Sequence, residues 1–292
     1  MVRISQAGVS VRHLSSAHPN GTRITAQDVH GSAIDLAPLR ETCRGLECTN
    51  ALRLEDGSPL RIPHTAAIAT DVEGVITLPV TDRNGPLGRI FMPLRDRLVS
   101  KCTGVPLSDA PAKIAELQAA HNTTALQFAL LNEPGVKLPT SEFIAGAWEP
   151  GLKAELVLPH VERDQELGDV LRSHAGPILA HSNSAGGFLE LAFGHLGFSV
   201  PGHFVGIVAL EELDIYSKPQ GRAYEIAAER LGVPIREMWV LDDRLGNLRG
   251  AREAGVERTV LIGPEPPTSN VLGHVYGWAR NIKEALSPMH RQ

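Results

Sequence analysis

The sequence is poor in cysteine and in aromatic residues, and it has no long apolar run. Its three cysteines, Cys43, Cys48 and Cys102, form no CxxC pair. This spacing gives no support for a zinc site or a disulfide framework, and it suits a reducing compartment. No stretch approaches the roughly 18 to 20 consecutive apolar residues that cross a bilayer, and the N-terminus lacks the apolar core of a secretory signal. We therefore expect a protein that neither spans a membrane nor carries a Sec signal.

Clustered positive charge is also missing. The chain has 28 lysines and arginines against 33 acidic residues, a formal net charge of −5, and no basic stripe. Because nucleic-acid binders need such a stripe, we expect no nucleic acid polymer as a partner. What the chain does have is length and apolar content: 292 residues, of which 42% are apolar. That is enough for a substantial core in one large or two modest domains.

The N-terminal part differs from the rest in composition. Residues 1–27 contain three arginines and four serines but no acidic residue, and short alternating pieces typical of β-strands fill residues 22–63. We interpret residues 1–63 as a partly disordered, β-rich extension. A cytoplasmic location is expected, with export without a Sec signal by way of this acid-free terminus as the alternative. A protein partner bound by the extension is a further hypothesis.

From Ala66 onward, short apolar strands alternate with amphipathic helices. The predicted strands are AAIA (66–69), PILAHS (177–182), FVGIVAL (204–210), MWVLDD (238–243) and TVLIG (259–263), and helical patterns lie between the last four. Such alternation predicts an α/β fold, with a doubly wound parallel sheet that is covered on both faces. We assign residues 64–77 and 174–292 to this core.

Residues 78–173 interrupt this alternation of strands and helices. They contain only helical patterns separated by proline and glycine, for example SDAPAKIAELQAAHNTTALQFALL and VERDQELGDVLRSH. A helical insert directly after the first strand of the sheet predicts a cap that closes over the sheet edge.

Polar residues follow the predicted strands. In chain order they are Asp71, Glu73, Ser182, Lys218, Asp242 and Asp243. In a parallel sheet the carboxyl ends of the strands lie at one edge, where ligands bind. A carboxylate that attacks a phosphate dianion needs a divalent cation, a lysine and hydroxyl or amide donors to offset the negative charge. The ordered set therefore predicts a phosphate site.

Four segments resemble, in order and spacing, the motifs of the haloacid dehalogenase (HAD) superfamily. They are TDVEGVIT, AHSNSAGG, YSKPQGRAYEIAAERLGV and VLDDRLGNLRGAREAGV. HNTTALQFALLNEPGVKLPTSEFIAGAW is also similar to the helical C1-type cap of pyrimidine 5′-nucleotidase-like members. The resemblance covers residues 66–285 and implies a Rossmann-like sheet with an inserted cap.

The resemblance also implies roles for single residues. Asp71 would be the nucleophile that forms an aspartyl-phosphate, and Lys218 would pair with this carboxylate and with the phosphate. Ser182, together with the amide of Asn183, would hold phosphate oxygens, with Ser184 as the competing hydroxyl.

The implied cofactor is Mg²⁺. Its ligands would be Asp71, the backbone carbonyl of Glu73, and Asp243, which are the oxygen donors that this ion prefers. Asp242 would orient a metal-bound water.

The sequence departs from the family pattern at Glu73. The usual phosphatase motif has aspartate there, as the acid that protonates the leaving oxygen. Glutamate keeps the acid but places it about 1 to 1.5 Å farther from the backbone. A displacement of about 1 Å can cost about 10²-fold in rate.

We therefore expect a Mg²⁺-dependent HAD-type phosphatase, a phosphoric monoester hydrolase that acts on a small phosphorylated metabolite. A nucleoside monophosphate is one candidate substrate. Two alternatives stay open: a phosphotransferase that uses the same aspartate, and a weakly active or inert HAD-fold effector or binding module that acts on a protein partner.

The predicted cap offers two further groups of interest. Arg83, Arg89, Arg95, Arg97 and Lys101 either meet a charged group of the substrate or form a solvated helix face. Phe143 and Trp148 either stack on a base or pack the core of the cap.

Overall fold

The computed structural model describes two short segments near the N-terminus and most of the chain from residue 60 onward. The described residues are 26–27, 33–34, 60–80, 82–121, 123, 125–267 and 273–287. Strand β1 (Ala26–Gln27) pairs antiparallel with β2 (Ala33–Ile34). The rest of the predicted extension, up to residue 59, lies outside the described residues.

Six parallel strands form the central sheet. They are β3 (Ile68–Thr70), β4 (Ile178–His181), β5 (Gly206–Val208), β6 (Trp239–Asp242), β7 (Arg258–Ile262) and β8 (Gly277–Ala279). Their order across the sheet is β5-β4-β3-β6-β7-β8. The chain therefore winds outward in both directions from the β3–β6 pair. In doubly wound sheets the crevice beyond this reversal point is where ligands bind.

The strands are buried on both faces. Successive residues alternate between two hydrophobic clusters: Ile68, Ile178 and Trp239 belong to one, and Ala69, Leu179 and Val240 to the other. This period of two, with apolar residues at both phases, is expected of a parallel sheet that has helices on both sides.

Helices on the two faces supply the matching apolar surfaces. Between and after the later strands lie Gly186–Leu196, Leu210–Leu213, Gly221–Leu231, Leu245–Glu253 and Ile282–Leu286, which are numbered α7 to α11. Phe188 and Leu189 of α7 pack in the first cluster, and Ala223 and Tyr224 of α9 pack in the second. The predicted doubly wound α/β architecture is confirmed.

A helical insert separates β3 from β4. Its helices α1 to α6 are Pro86–Thr103, Ala110–Ala120, Leu126–Leu131, Thr140–Ala147, Ala154–Val157 and Gln165–Ser173, with 3₁₀ turns at Leu107–Asp109, Glu149–Gly151 and Leu158–His160. The helical pattern over 108–131 thus contains two helices, α2 and α3. Within the described part of the chain, no helix combines the length and the apolar character that crossing a bilayer requires.

Strand β8 is not among the strands that the sequence predicts. Its three residues, GWA, are too few to show an alternating pattern. Its position is set by pairing with β7, in which Trp278 aligns with Leu261. Short edge strands of this kind depend on their neighbour more than on their own sequence.

Candidate active site

The carboxylates of the site meet where the sheet order reverses. Asp71 directly follows β3, and Asp242 is the last residue of β6, with Asp243 after it. The register pairs Thr70 with Leu241, and the Asp71 amide donates to the Leu241 carbonyl at 2.8 Å. Carboxylate oxygens of Asp71, Asp242 and Asp243 consequently lie within 4.8 Å of one another. The sheet itself therefore brings together residues that are about 170 positions apart.

Lys218 lies between two of these aspartates. Its Nζ is 2.9 Å from Asp71 Oδ1 and 2.9 Å from Asp242 Oδ2, and the side chain is fully buried. Burial acts to lower the pKa of Lys218, but the Asp242 and Asp71 carboxylates outweigh it, so the pKa lies above its usual value. Burial raises the pKa of Asp71 well above its usual value, although Lys218 opposes this shift.

The backbone at Lys218 is held by Asn183. The Asn183 side chain donates to the Lys218 carbonyl and accepts from the Lys218 amide, each at 2.9 Å. Such a reciprocal pair fixes the loop that carries the lysine. The sequence predicts a role for Asn183 through its backbone amide, but the position of the residue after β4 gives no signal of this side-chain contact.

Asp242 and Asp243 have different surroundings. Both Asp242 oxygens accept hydrogen bonds, Oδ1 from the Arg244 amide and from Asn247, and Oδ2 from Lys218 and Asn247. Oδ1 of Asp243 is buried and has no hydrogen-bond partner among the described residues. Burial, followed by the charge of Asp242, raises the pKa of Asp243 to about 6. Asp243 therefore has an oxygen to offer a cation, whereas Asp242 is saturated by protein donors.

This donor set fits a divalent cation of the Mg²⁺ type. Crowded, buried carboxylates repel one another, and a hard cation is the partner that relieves the repulsion. Asp71 also has an oxygen for it: Oδ1 accepts from the Val72 amide at 2.8 Å and from Lys218, while no described residue donates to Oδ2. Asp71 and Asp243 are the side chains that would hold the ion.

Gly74 lets Asp243 approach the turn after β3. The glycine has a φ of +88°, and a Cβ built on it would overlap Oδ2 of Asp243. Any side chain here would displace the carboxylate and would also strain the backbone. The absence of a side chain at Gly74 therefore leaves space for the Asp243 carboxylate beside the turn that begins at Glu73.

We expect Gly74→Ala to weaken binding of a divalent cation of the Mg²⁺ type by Asp71 and Asp243. The positive φ alone costs about 1 to 2 kcal/mol of stability, and the methyl group pushes Asp243 away from Asp71. Gly104→Ala is the matched control, because Gly104 has a φ of +74° with no atom within 4 Å of the added Cβ. Thermal unfolding with and without Mg²⁺ should show a similar backbone cost in both variants and a lost Mg²⁺ shift in Gly74→Ala only. Equal Mg²⁺ shifts in the two would contradict this account of the turn.

Glu73 contacts Ser182. The Ser182 hydroxyl donates to Glu73 Oε2 at 2.7 Å and accepts from the Ser184 amide at 2.9 Å. Glu73 Oε1 is buried without a partner among the described residues, and burial raises the pKa of this carboxyl. The structure thus places Ser182 behind Glu73, while Asn183 and Ser184 line the cavity in front of Asp71.

A cavity of about 90 Å³ opens above Asp71, between the sheet edge and the helical insert. Among the described residues, Arg95 is the one member of the basic cluster predicted for the cap that lines this cavity. Arg244 lines the cavity from the core side. Phe143 and Trp148 are buried, and the Trp148 ring packs 4.7 Å from the ring of Phe91. Both aromatic residues therefore pack in the core of the insert, and both also line the cavity above Asp71.

Hydrogen bonds join the insert to the loop before Lys218. Gln127 of α3 donates to the Asp214 carbonyl at 2.8 Å, and Thr140 of α4 donates to the Asp214 side chain at 3.0 Å. Asp214 has a φ of +50°, unusual for a residue other than glycine. The insert thus contacts the element that positions the lysine.

The fold and the site define a class: a doubly wound parallel α/β protein with a helical insert and a lysine-bridged carboxylate cluster at the carboxyl edge of its sheet. No family model matches the chain. It is 30% identical over 132 residues to "Enolase-phosphatase E1" of Aquifex aeolicus (strain VF5), a match that covers 44% of this chain and 58% of that protein. The chain thus spans less than two thirds of the length of this curated relative.

Two solved structures are similar to the chain in fold only. One is a β-phosphoglucomutase from Clostridium difficile, with 16% identity and a TM-score of 0.49, covering 75% of this chain and 92% of that one. The other is a hydrolase from Pseudomonas syringae, also with 16% identity and a TM-score of 0.49, covering 75% of this chain and 95% of that one.

Proposed function

We propose that this protein is a HAD-type phosphatase that hydrolyses a small phosphomonoester through an aspartyl-phosphate, with Mg²⁺ as cofactor. The observation that carries the proposal is the grouping of Asp71, Lys218 and Asp243 at one sheet edge, with Lys218 bonded to Asp71 and a free oxygen on Asp243. The curated relative that is named a phosphatase supports the same class.

Asp71 supplies the nucleophile. Lys218 and the Val72 amide hold Oδ1 and orient the carboxylate. One carboxylate oxygen attacks the phosphorus atom, the bond from phosphorus to the leaving oxygen breaks, and an aspartyl-phosphate forms. The buried Lys218 ammonium stays charged and offsets the negative charge that accumulates during the attack. A buried lysine that is paired with two carboxylates is already oriented for this role, so little reorganisation is needed.

Asp71, Asp243 and the backbone carbonyl of Glu73 would hold Mg²⁺. When bound, this ion supplies further charge stabilisation to the phosphoryl oxygens. Asp242 holds Lys218 and the Arg244 amide, and it thereby keeps the lysine beside the nucleophile.

Glu73 is the proton donor and acceptor of the proposal. Burial raises the pKa of this carboxyl. In the proposal the carboxyl gives a proton to the leaving oxygen and then takes one from the hydrolytic water. The hydrogen bond from Ser182 orients the longer side chain.

Residues 78–173 would act as the cap that excludes bulk water, over a core of residues 64–77 and 174–292.

Phosphate release from a panel of monophosphates tests the proposal. The panel contains p-nitrophenyl phosphate, sugar phosphates and nucleoside monophosphates, each with Mg²⁺ and after chelation. We expect turnover of at least one ester, its loss on chelation and its recovery when Mg²⁺ is restored. Absence of turnover on every ester, together with absence of any Mg²⁺-dependent rise in melting temperature, would contradict the proposal and favour a binding module.

A phosphotransferase is the second candidate, because Glu73 is longer than the acid of the usual motif and is bonded to Ser182. Alcohols added to the same assay distinguish the two activities. A transferase forms a new phosphate ester with the alcohol, whereas a hydrolase releases inorganic phosphate at an unchanged rate.

A further inference from the structure

Two arginines face the cavity without an acidic partner. Arg95 of α1 and Arg244, just before α10, both line the space above Asp71. Among the described residues, neither forms an ion pair with a carboxylate. The polar contact of the Arg95 guanidinium is Met92 Sδ at 3.8 Å, and a thioether is a weak acceptor. The cavity therefore holds two guanidinium groups whose donors are largely unused.

The other arginines at the start of the insert are arranged differently. Arg83 makes a bidentate pair with Asp96, with both contacts at 2.7 Å. Arg89 and Arg97 are exposed to solvent on the same helix as Arg95. Arg95 is the member of this group that is half-buried, and burying a charged group without a partner is costly. The cost is understandable if a ligand supplies the missing charge.

The two cavity arginines also act on each other. Burial, followed by the positive charge of Arg244, lowers the pKa of Arg95 to about 10. Two positive charges that are partly shielded from water repel each other, and this repulsion destabilises the protein. An anion bound between the two guanidinium groups would turn the repulsion into attraction. The Lys218 ammonium is not free to bind an anionic group on the leaving part of a substrate, because it already contacts Asp71 and Asp242.

We propose that the substrate carries a second anionic group, on the part that leaves, and that Arg95 and Arg244 bind it. The inference rests on the proposed function and names its substrate class: a phosphomonoester of a small, negatively charged alcohol. The guanidinium fork suits either a carboxylate or a second phosphate. The volume of about 90 Å³ and the apolar walls at Phe91 and Leu126 favour a short carbon chain between the two anions.

Matched pairs of esters test this inference on the full-length protein with Mg²⁺. Each pair contains a phosphonooxy carboxylate of two to four carbons and its carboxamide, which has the same shape without the charge. A parallel series carries a second phosphate in place of the carboxylate. We expect kcat/KM to favour one of the two anionic series over the carboxamides by about 10-fold or more, the range of charge-assisted hydrogen bonds. The series with the larger preference identifies the anion.

Substitutions at Arg95 connect this preference to the cavity. Arg95→Met should bring the ratio of anionic to neutral ester close to one, and Arg95→Lys should lower it partly, because it keeps the charge but loses the fork. Arg97→Met is the control on the exposed face of the same helix and should keep the wild-type ratio. Arg95→Lys also provides the test if the methionine variant does not fold.

Two results would overturn the inference while the proposed function stands. One is a wild-type ratio close to one in both series. The other is an equal loss on the anionic and neutral esters in Arg95→Met, which would place Arg95 on the transferred phosphoryl group instead. Failure of the wild-type protein to cleave any ester, including p-nitrophenyl phosphate, contradicts the proposed function itself and the inference with it.

Discussion

Replacing Asp71 with asparagine is expected to lower the rate of phosphate release by at least about 10⁴-fold, as for loss of a nucleophile in other covalent enzymes. The amide has the same shape but is far less nucleophilic. Acid quenching during turnover should also trap one phosphoryl group on the wild-type chain, detectable by intact mass, and none on Asp71→Asn. The buried surroundings should tolerate the change, since it removes one of several mutually repelling carboxylates.

Asp109→Asn is the control for this experiment. Asp109 is exposed at the end of a 3₁₀ turn in the insert, far in sequence from the strand ends. The Asp109→Asn protein should retain wild-type turnover, and acid quenching should still trap one phosphoryl group on it. If Asp71→Asn kept turnover within about tenfold of wild type, or still trapped the phosphoryl group, Asp71 would not be the nucleophile.

Lys218→Met is expected to affect both stability and rate. Removing one partner of a buried ion pair costs about 3 to 5 kcal/mol, because the remaining charge is left buried and unpaired. Here Asp71 and Asp242 would both lose their 2.9 Å contact with Nζ. We expect a clear fall in the free energy of unfolding, measured by urea titration, and a loss of phosphate release of about 10²-fold or more.

Two comparisons separate charge from packing. Lys113→Met removes a lysine paired with Glu116 and Glu133 near the surface, and it should cost no more than about 1 kcal/mol. Adding Asp242→Asn to Lys218→Met should recover part of the lost stability, because it removes one of the unpaired charges. A Lys218→Met protein as stable as Lys113→Met would show that the ammonium does not neutralise the cluster.

The sequence by itself determined the kind of fold. Runs such as PILA and MWVL are apolar at every position, and a parallel sheet buried on both faces uses such strands. Placing Asp71 and Asp242 at the ends of such strands was sufficient to predict that they meet, since parallel strands end at one edge. The helical insert was also readable, although the break between α2 and α3 was not, because helix periodicity alone does not show where a chain turns.

Which partner each polar group takes was decided by the tertiary structure. Lys218 bridges Asp71 and Asp242, Asn183 holds the lysine loop, and Ser182 turns to Glu73, and each of these contacts joins segments far apart in the chain. The same holds for Arg95: its neighbours on α1 have the same chemistry, and only packing of the insert against the sheet edge turns this one inward. Periodicity reports which face of an element is buried, but hydrogen-bond partners depend on distances of a few tenths of an ångström that only the assembled fold sets.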